Sequence, residues 1–598
     1  MELVRGNCPS ATCFSSLSSI MKSTNRVEEP SLQDALEQRA DYIPFDDIQS
    51  ETSPEGESFR NAIQELTNKS LRTLVGPRGS GKTHLMRFAW ATCRDDASQP
   101  FSIYVSFNRY FRLEPLRTSR PNPAELFHSW VLALICLGTY EAATSWKPAI
   151  AAIETIFDSY GLKKATLQSL VSRLERGQPL PPSEAEVSGK LSVNDVKELI
   201  DAVRSETRRK FAVLLLDDAA LTLTPDYLVE FLDIVRALKS SHIAPKASVY
   251  PGTTEYSPRF HAGQDALPVP VWHPVDSDNY DQVMGAIAEK RVANLKDMPA
   301  DVVELFMYAA FGIPRAFLSM IWDYQRRNFR TSQQGVNAIV QEYLSLRLAE
   351  YRSLAKKVPK FATIIRAGEL LLNQMTVSVK DANALSSEKG EKQISIGILK
   401  EDVTPLVKRM LDLLVEAGLI YEQGEIKHGS PERIYSRFVP HTAALLGVKA
   451  FSQGRSGTSP KQIVEVIRRK SAKHPIRARL PLLAPEEVAQ LKVDLPECAK
   501  CGTARLTEEQ KFCHSCGSQL VSSSTFSECC TIAITEVPGL TKWQKERISE
   551  ALPKFKTIGD YLAKQDPSAE LLTIYGIGKK RSAKIIDVLD GFVDEFLS

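Results

Sequence analysis

A chain of 598 residues is too long for a single core and divides into several domains. Its 43% hydrophobic and 25% charged residues are ordinary for a globular protein, and no apolar run approaches the roughly 18 residues that cross a bilayer. A formal net charge of +3 marks no partner by itself, so the informative quantity is where charge collects along the chain.

Residues 1–30 are Ser-rich and aperiodic and read as a flexible leader. Met1-Glu2-Leu3 opens no basic segment followed by an apolar one, so export is not expected. A helical pattern at 58–67 leads into an apolar strand at 71–75 and then into Gly76-Pro77-Arg78-Gly79-Ser80-Gly81-Lys82-Thr83. Further strand-like runs at 101–106, 211–216, 247–250 and 268–272 alternate with helical stretches, notably 124–137 and 193–208. That alternation predicts an α/β P-loop core over 31–275, a mainly parallel sheet between helices. Residues 276–350 read as all helical, broken at Gly312-Ile313-Pro314. Over 351–450, helices at 361–374 and 403–417 are followed by a hairpin, 419–422 and 433–439, turning near His428-Gly429-Ser430-Pro431, the pattern of a winged helix.

Residues 451–491 read as a linker with one basic helix. From Lys461 to Leu480 seven Lys/Arg face a single acid, Glu465, which suits either a polyanion partner or a solvated linker. A cysteine module follows at 492–525, and a small all-α unit closes the chain at 530–598.

A Gly-rich loop between a strand and a helix lets backbone N–H groups surround phosphate oxygens, with the helix N-terminus adding positive potential. Gly76, Pro77, Arg78, Gly79, Ser80 and Gly81 form that cradle, Lys82 reaches the β- and γ-phosphates of ATP, and the Thr83 hydroxyl ligates Mg²⁺. Val213-Leu214-Leu215-Leu216-Asp217-Asp218 is an apolar strand ending in two acids. Asp217 is placed to hold the Mg²⁺ shell, and Asp218 to polarise the attacking water.

The order of P-loop, Asp217-Asp218 strand, Thr253-Thr254 after the next strand, and Gly312-Ile313-Pro314-Arg315 in a lid resembles the origin-recognition (initiator-like) branch of the AAA+ ATPases, over roughly residues 40–450. The resemblance implies Thr254 and Arg315 as sensors of the γ-phosphate, a winged helix after the lid, and a homo-oligomer in the ATP state. An arginine finger from a neighbouring subunit is also implied, with Arg259 a candidate beside the plain reading of a surface arginine. The family usually carries Asp-Glu where this chain has Asp217-Asp218, which puts fast hydrolysis in question. Asp-Asp, Thr-Thr and Gly-x-Pro are also similar to the STAND signalling NTPases, which bind ATP as a switch.

Cys498-Ala499-Lys500-Cys501-Gly502 and Cys513-His514-Ser515-Cys516-Gly517 are two knuckles whose four thiolates can close a tetrahedron around Zn²⁺. This resembles a zinc ribbon, structural in type and a possible protein-docking surface. Downstream, Leu572-Thr573-Ile574-Tyr575-Gly576-Ile577-Gly578-Lys579-Lys580-Arg581-Ser582-Ala583-Lys584 resembles a helix-hairpin-helix motif. Gly576 and Gly578 allow the hairpin to approach a phosphate, and Lys579, Lys580, Arg581 and Lys584 supply charge. A weaker copy begins at Val537, with Thr541 in place of the second glycine. The alternative is a purely structural or protein-docking hairpin. Together these features predict a cytoplasmic, DNA-associated AAA+ ATPase making nonspecific duplex contact, using ATP, Mg²⁺ and Zn²⁺ and having no membrane partner. A STAND-like switch is the rival.

Overall fold

The computed structural model describes residues 40, 43–54, 56–146, 150–218, 225–254, 260–261, 263–386, 390–452, 459–478, 482–495, 497–498, 500–506, 510, 512–518, 520, 529–553, 555–564 and 566–597. The proposed leader and Arg259 lie outside them.

Five parallel strands form the first sheet: β1 (Arg72–Val75), β2 (Phe101–Ser106), β3 (Ala212–Asp217), β4 (Ile243–Val249) and β5 (Leu267–Pro270), in the order β2-β3-β4-β1-β5. β3 is buried along its whole length, as expected of a strand with neighbours on both edges and helices on both faces. β4 lies between the strand carrying the Gly-rich loop and the strand carrying the acids. It starts four residues before the apolar run read from sequence, because Pro245 and Lys246 disguise its first half. The β1 pairing begins only at Lys246, so the missing N–H of Pro245 faces no partner strand on that side. Lys246 is fully buried, with its ammonium donating to Asn68 O and Oδ1, each at 2.9 Å, and to Ser70 O at 2.5 Å.

Helix α1 (Lys82–Asp95) follows the Gly-rich loop, and α2 (Pro123–Ser145) lies against β2. The sequence reading placed no apolar stretch near membrane-spanning length, and α2 corrects this. It is long and apolar enough to cross a membrane, but 72% of its most apolar window is buried inside the protein. It is the central helix of an insertion between β2 and β3 that also contains Ile150–Ser159, Lys164–Glu175, Pro182–Lys190 and Val193–Glu206.

The lid and the segment after it share one apolar core, running from Val275 to Leu491. The domain boundary at residue 350 falls inside a single helix, Ser332–Lys357, so lid and following domain are continuous. This body contains α3 (Pro314–Arg326) and α4 (Pro405–Glu416). Its sheet joins β6 (Ile396–Leu399), β7 (Ile420–His428), β8 (Arg433–Pro440) and β9 (Ile476–Ala478) in the order β7-β8-β6-β9. The ribbon read from sequence is therefore half of a four-stranded sheet.

The linker reading of 451–491 is also corrected. Helix α5 (Pro460–Ile467) buries Val464, Val466 and Ile467 in the shared core, and β9 adds a parallel edge strand to β6. Arg468, one of the seven basic residues, binds Asp281 at 2.8 Å and Glu304 at 3.2 Å.

The C-terminal unit contains α6 (Lys542–Ala551) and α7 (Lys579–Leu597). Ile585, Leu589 and Val593 of α7 are fully buried in an apolar cluster continuous with that of the first sheet. Asp590 accepts from Tyr561 Oη at 2.7 Å and from Arg112 at 3.4 Å, which ties the unit to the segment after β2.

Gly312 sets the angle of the lid. Its φ is 74°, and a Cβ there would sit 2.0 Å from the His273 carbonyl oxygen. Gly312→Ala is expected to destabilise by more than the roughly 1–2 kcal/mol of left-handed backbone strain alone. Gly177→Ala, at φ 63° with nothing within 4 Å, is the control that isolates that strain in chemical denaturation.

Candidate nucleotide site and the two C-terminal modules

The Gly-rich loop leaves β1 and ends at Gly81, whose φ of 98° and ψ of 21° form a left-handed N-cap that starts α1 at Lys82. Gly76 is required by closeness: a Cβ there would lie 2.5 Å from Val271 O and 2.9 Å from Ser80 Oγ. Gly81 has no side chain with which to cap the first turn of α1, and the N-terminal N–H groups of a helix have no intrahelical partners. Thr83, half-buried, stands in that turn.

Lys82 is buried beneath the loop. Its ammonium donates to Gly76 O at 2.6 Å and Pro77 O at 3.3 Å and lies 4.1 Å from the centroid of the Tyr250 ring. Burial pushes its pKa down to about 8, against the pull of Asp217, Asp218 and Glu416. Asp217 is 1% exposed and accepts from Tyr104 Oη at 3.0 Å and from the Asp218 N–H at 3.0 Å. Asp218 has φ 51°, an uncommon conformation for a non-glycine residue.

Because β4 separates β1 from β3, the turn after β4 lies between the loop and the acid pair. Thr254, buried in that turn, accepts the Tyr250 N–H at 3.0 Å and donates its own N–H to Tyr250 O at 3.1 Å. It lies five residues past the end of β4 and closes the turn. Arg315 is exposed in the first turn of α3 beside the loop: a Cβ on Gly79 would be 3.2 Å from Arg315 Cβ. The structure thus brings Gly76–Thr83, Asp217, Asp218, Thr254 and Arg315 to one end of the sheet, the end where open α/β sheets take ligands.

Three residues of this site were missed in the sequence: Tyr104, Tyr250 and Glu416. Tyr104 had a weak signal, a hydroxyl-bearing residue in an apolar strand. Glu416 had none, because it arrives from α4, more than 160 residues after the turn it binds. Its carboxylate accepts the N–H groups of Gly252 at 2.9 Å and Thr253 at 2.7 Å and the Thr253 hydroxyl at 3.1 Å. Arg409, also on α4, donates to Gly252 O at 2.6 Å. A Cβ on Gly252 would lie 2.6 Å from Leu413 Cα, and one on Gly418 would lie 3.3 Å from Pro77 Cβ. Helix α4, part of the winged-helix pattern read from the sequence, is therefore packed on the nucleotide end of the first sheet.

Two buried polar atoms of the loop, Ser80 Oγ and Arg78 Nη2, find no hydrogen-bond partner among the described residues. Together with the loop N–H groups and the Lys82 ammonium they fit the donor set of a phosphate group, while the other terminal nitrogen of Arg78 lies 3.9 Å from Glu350. Asp217 with Thr83 fits the all-oxygen donor set of Mg²⁺.

In the cysteine module the ligand atoms of Cys498, Cys501, Cys513 and Cys516 all lie within 4.8 Å of one another. Sγ–Sγ separations of 3.5 Å for Cys498–Cys516 and 3.6 Å for Cys501–Cys513 approach the roughly 3.8 Å edge of a tetrahedron with ~2.3 Å Zn–S bonds. Gly502 and Gly517, at φ 69° and 67°, close the two knuckles in the same way. The donor set fits Zn²⁺.

In the last unit Gly576 has φ 91°, and a Cβ on it would sit 3.2 Å from the Trp543 ring. Reciprocally, a Cβ on Gly539 would sit 3.2 Å from Val588, so each hairpin packs on the other's helix. Lys579, Lys580 and Lys584 are exposed at the start of α7, and Gly578 lies in the same hairpin. Arg581 is engaged locally, donating to Gly576 O at 2.7 Å and lying 5.3 Å from the Trp543 ring centroid.

No protein-family model and no curated protein matches this chain. Among solved structures, the Walker-type ATPase of Pyrococcus abyssi aligns at 15% identity with a TM-score of 0.36, covering 66% of this chain and 95% of that one. The α/β P-loop architecture stands on the sheet order and loop geometry above.

Glu416 supplies a test of how α4 is held. Glu416→Ala leaves the buried Gly252 N–H without an acceptor, at about 1–3 kcal/mol, and the half-buried Thr253 N–H without its carboxylate partner. Glu416→Gln keeps an acceptor and removes a carboxylate whose pKa burial raises. Denaturation is expected to show a large loss for the Ala variant and little or none for Gln.

Proposed function

We propose that this chain is an ATP-binding P-loop ATPase that works in association with DNA, built like an initiator-type AAA+ protein. The observation that carries the ATPase reading is Lys82 buried in a loop with two orphaned donors, facing Asp217 and Asp218 across the turn after β4. Gly76–Gly81 and Lys82 would bind the phosphates, and Thr83 and Asp217 would hold Mg²⁺, which would supply charge neutralisation for the phosphates. Asp218 orients and deprotonates the attacking water, and Thr254 and Arg315 flank the terminal phosphate. A homo-oligomer in the ATP state and a cytoplasmic setting belong to the same reading.

DNA contact is assigned to the last hairpin, with Lys579, Lys580 and Lys584 presented at the N-terminal turn of α7 beside Gly576 and Gly578. Such contacts neutralise phosphates without reading bases. The four cysteines hold Zn²⁺ structurally, and the module is available to a protein partner. A STAND-like switch remains the second reading, and the docking of α4 on the turn beside the nucleotide site favours it. A helix held there by Glu416 links nucleotide state to the position of the second body.

Lys82→Ala is expected to abolish ATP binding with the fold retained. ATP affinity in the wild type should weaken as pH rises through about 8, where Lys82 loses its proton. Asp218→Asn should bind ATP while losing tens- to thousands-fold in turnover, within the usual range for loss of a general base. Duplex DNA should accelerate turnover of the wild type but not of Lys579→Glu/Lys580→Glu. Unchanged turnover in Asp218→Asn, with no response to DNA, moves the assignment to the switch.

The purified chain should contain about one zinc per molecule. Cys501→Ser should release it while ATP binding persists. Loss of ATP binding in that variant would show that module and core are not independent.

A further inference from the structure

The four-stranded sheet brings together two segments about 40 residues apart in sequence, and the basic groups of both meet at one spot. The β7–β8 hairpin contributes His428 and Arg433, directly opposite each other in register. The Arg433 guanidinium folds back under the turn, with Nη2 3.3 Å from where a Cβ of Gly429 would sit. From the former linker come His474 and Arg477, the latter in β9 beside Gly397. The His428 and His474 rings lie 5.4 Å apart, which fixes the meeting of the two segments. Lys473 and Arg477 are exposed beside them.

The nearby acids are engaged elsewhere: Glu432 binds Lys427 at 2.8 Å, and Glu425 binds Lys400 at 2.6 Å. Among the described residues, no carboxylate lies within salt-bridge distance of Arg433 or Arg477. The spot registers as positive on its own members. Arg477 foremost, with His474 and Arg433, helps hold the His428 imidazole below its ordinary pKa.

We propose that His428, Arg433, His474 and Arg477 form a second nucleic-acid contact, a phosphodiester-binding site where the hairpin meets β9. It rests on the DNA-associated reading above but not on the last hairpin. Two guanidinium groups offer paired donors matched to phosphate oxygens, and two imidazoles add donors when protonated. The surplus charge is collected from separate segments onto one surface, whereas Arg468 of the same basic run is neutralised by Asp281 and Glu304.

The test is binding of the full chain to a fluorescently labelled duplex across a salt series. The variants are Arg433→Glu/Arg477→Glu, Arg433→Gln/Arg477→Gln, Arg433→Lys/Arg477→Lys and, separately, Lys579→Glu/Lys580→Glu, each checked for an unchanged thermal transition. Each neutralised phosphate contributes about −0.9 to the log–log salt slope, so Arg433→Gln/Arg477→Gln should flatten it by about 2. Arg433→Glu/Arg477→Glu should flatten it at least as much, and the Lys pair should retain most of it. A slope unchanged in the Glu and Gln pairs but reduced in Lys579→Glu/Lys580→Glu would overturn this site and leave the DNA reading standing. No duplex binding by the wild type would overturn both. Competition by polyglutamate as effective as by duplex would assign the surface to an acidic protein and also overturn the proposal.

Discussion

The burial of Lys82 is the constraint on which the nucleotide end of the sheet depends. An ammonium taken out of water needs compensation, and here it comes from two loop carbonyls, the face of Tyr250 and the field of three carboxylates. Each compensating group comes from a different element. Gly76 and Pro77 follow β1, Asp217 ends β3 with Asp218 just after it, Tyr250 follows β4, and Glu416 ends α4. The strand order brings the first three together, and packing of the second body brings the fourth. A polyphosphate arriving in the loop adds negative charge beside Lys82 and would hold it protonated. The same charge would repel Glu416, the one carboxylate of the set that belongs to the second body.

Much of this site was legible in the sequence because P-loop chemistry is local. Eight consecutive residues carry the cradle, and their flanking strand and helix are readable from periodicity alone. Asp217-Asp218 was legible for the same reason, as the polar end of an apolar run. The turn between them was less so. Thr254 was found by analogy of order, but β4 ends at Val249, and Tyr250, which touches Lys82, gave no signal. A buried aromatic under an ammonium looks in sequence like any core tyrosine.

The second body was read less well, for reasons that are also physical. Strands β6 and β9 have four and three residues, too short for a period-2 pattern to show. The basic composition of 461–480 concealed the apolar stripe of α5, because Val464, Val466 and Ile467 are interleaved with charge that stays outside. Helix α4 has the pattern of an amphipathic helix whichever partner it buries against, and only the fold shows that the partner is the turn at Gly252-Thr253. In the last unit the two glycine hairpins were legible as turns. Their reciprocal packing, Gly576 on Trp543 and Gly539 on Val588, was not.

The central claim is that the end of the first sheet, with Lys82 beneath the loop and α4 docked beside it, is one nucleotide-responsive unit. Amide hydrogen exchange of the full chain with and without Mg-ATP tests it most directly, because it reports where nucleotide acts without altering any residue. Protection is expected over 76–85 and altered exchange over 250–254 and 405–418, with β6–β9 unchanged. Protection confined to other segments, or no response to Mg-ATP at millimolar concentration, would contradict it.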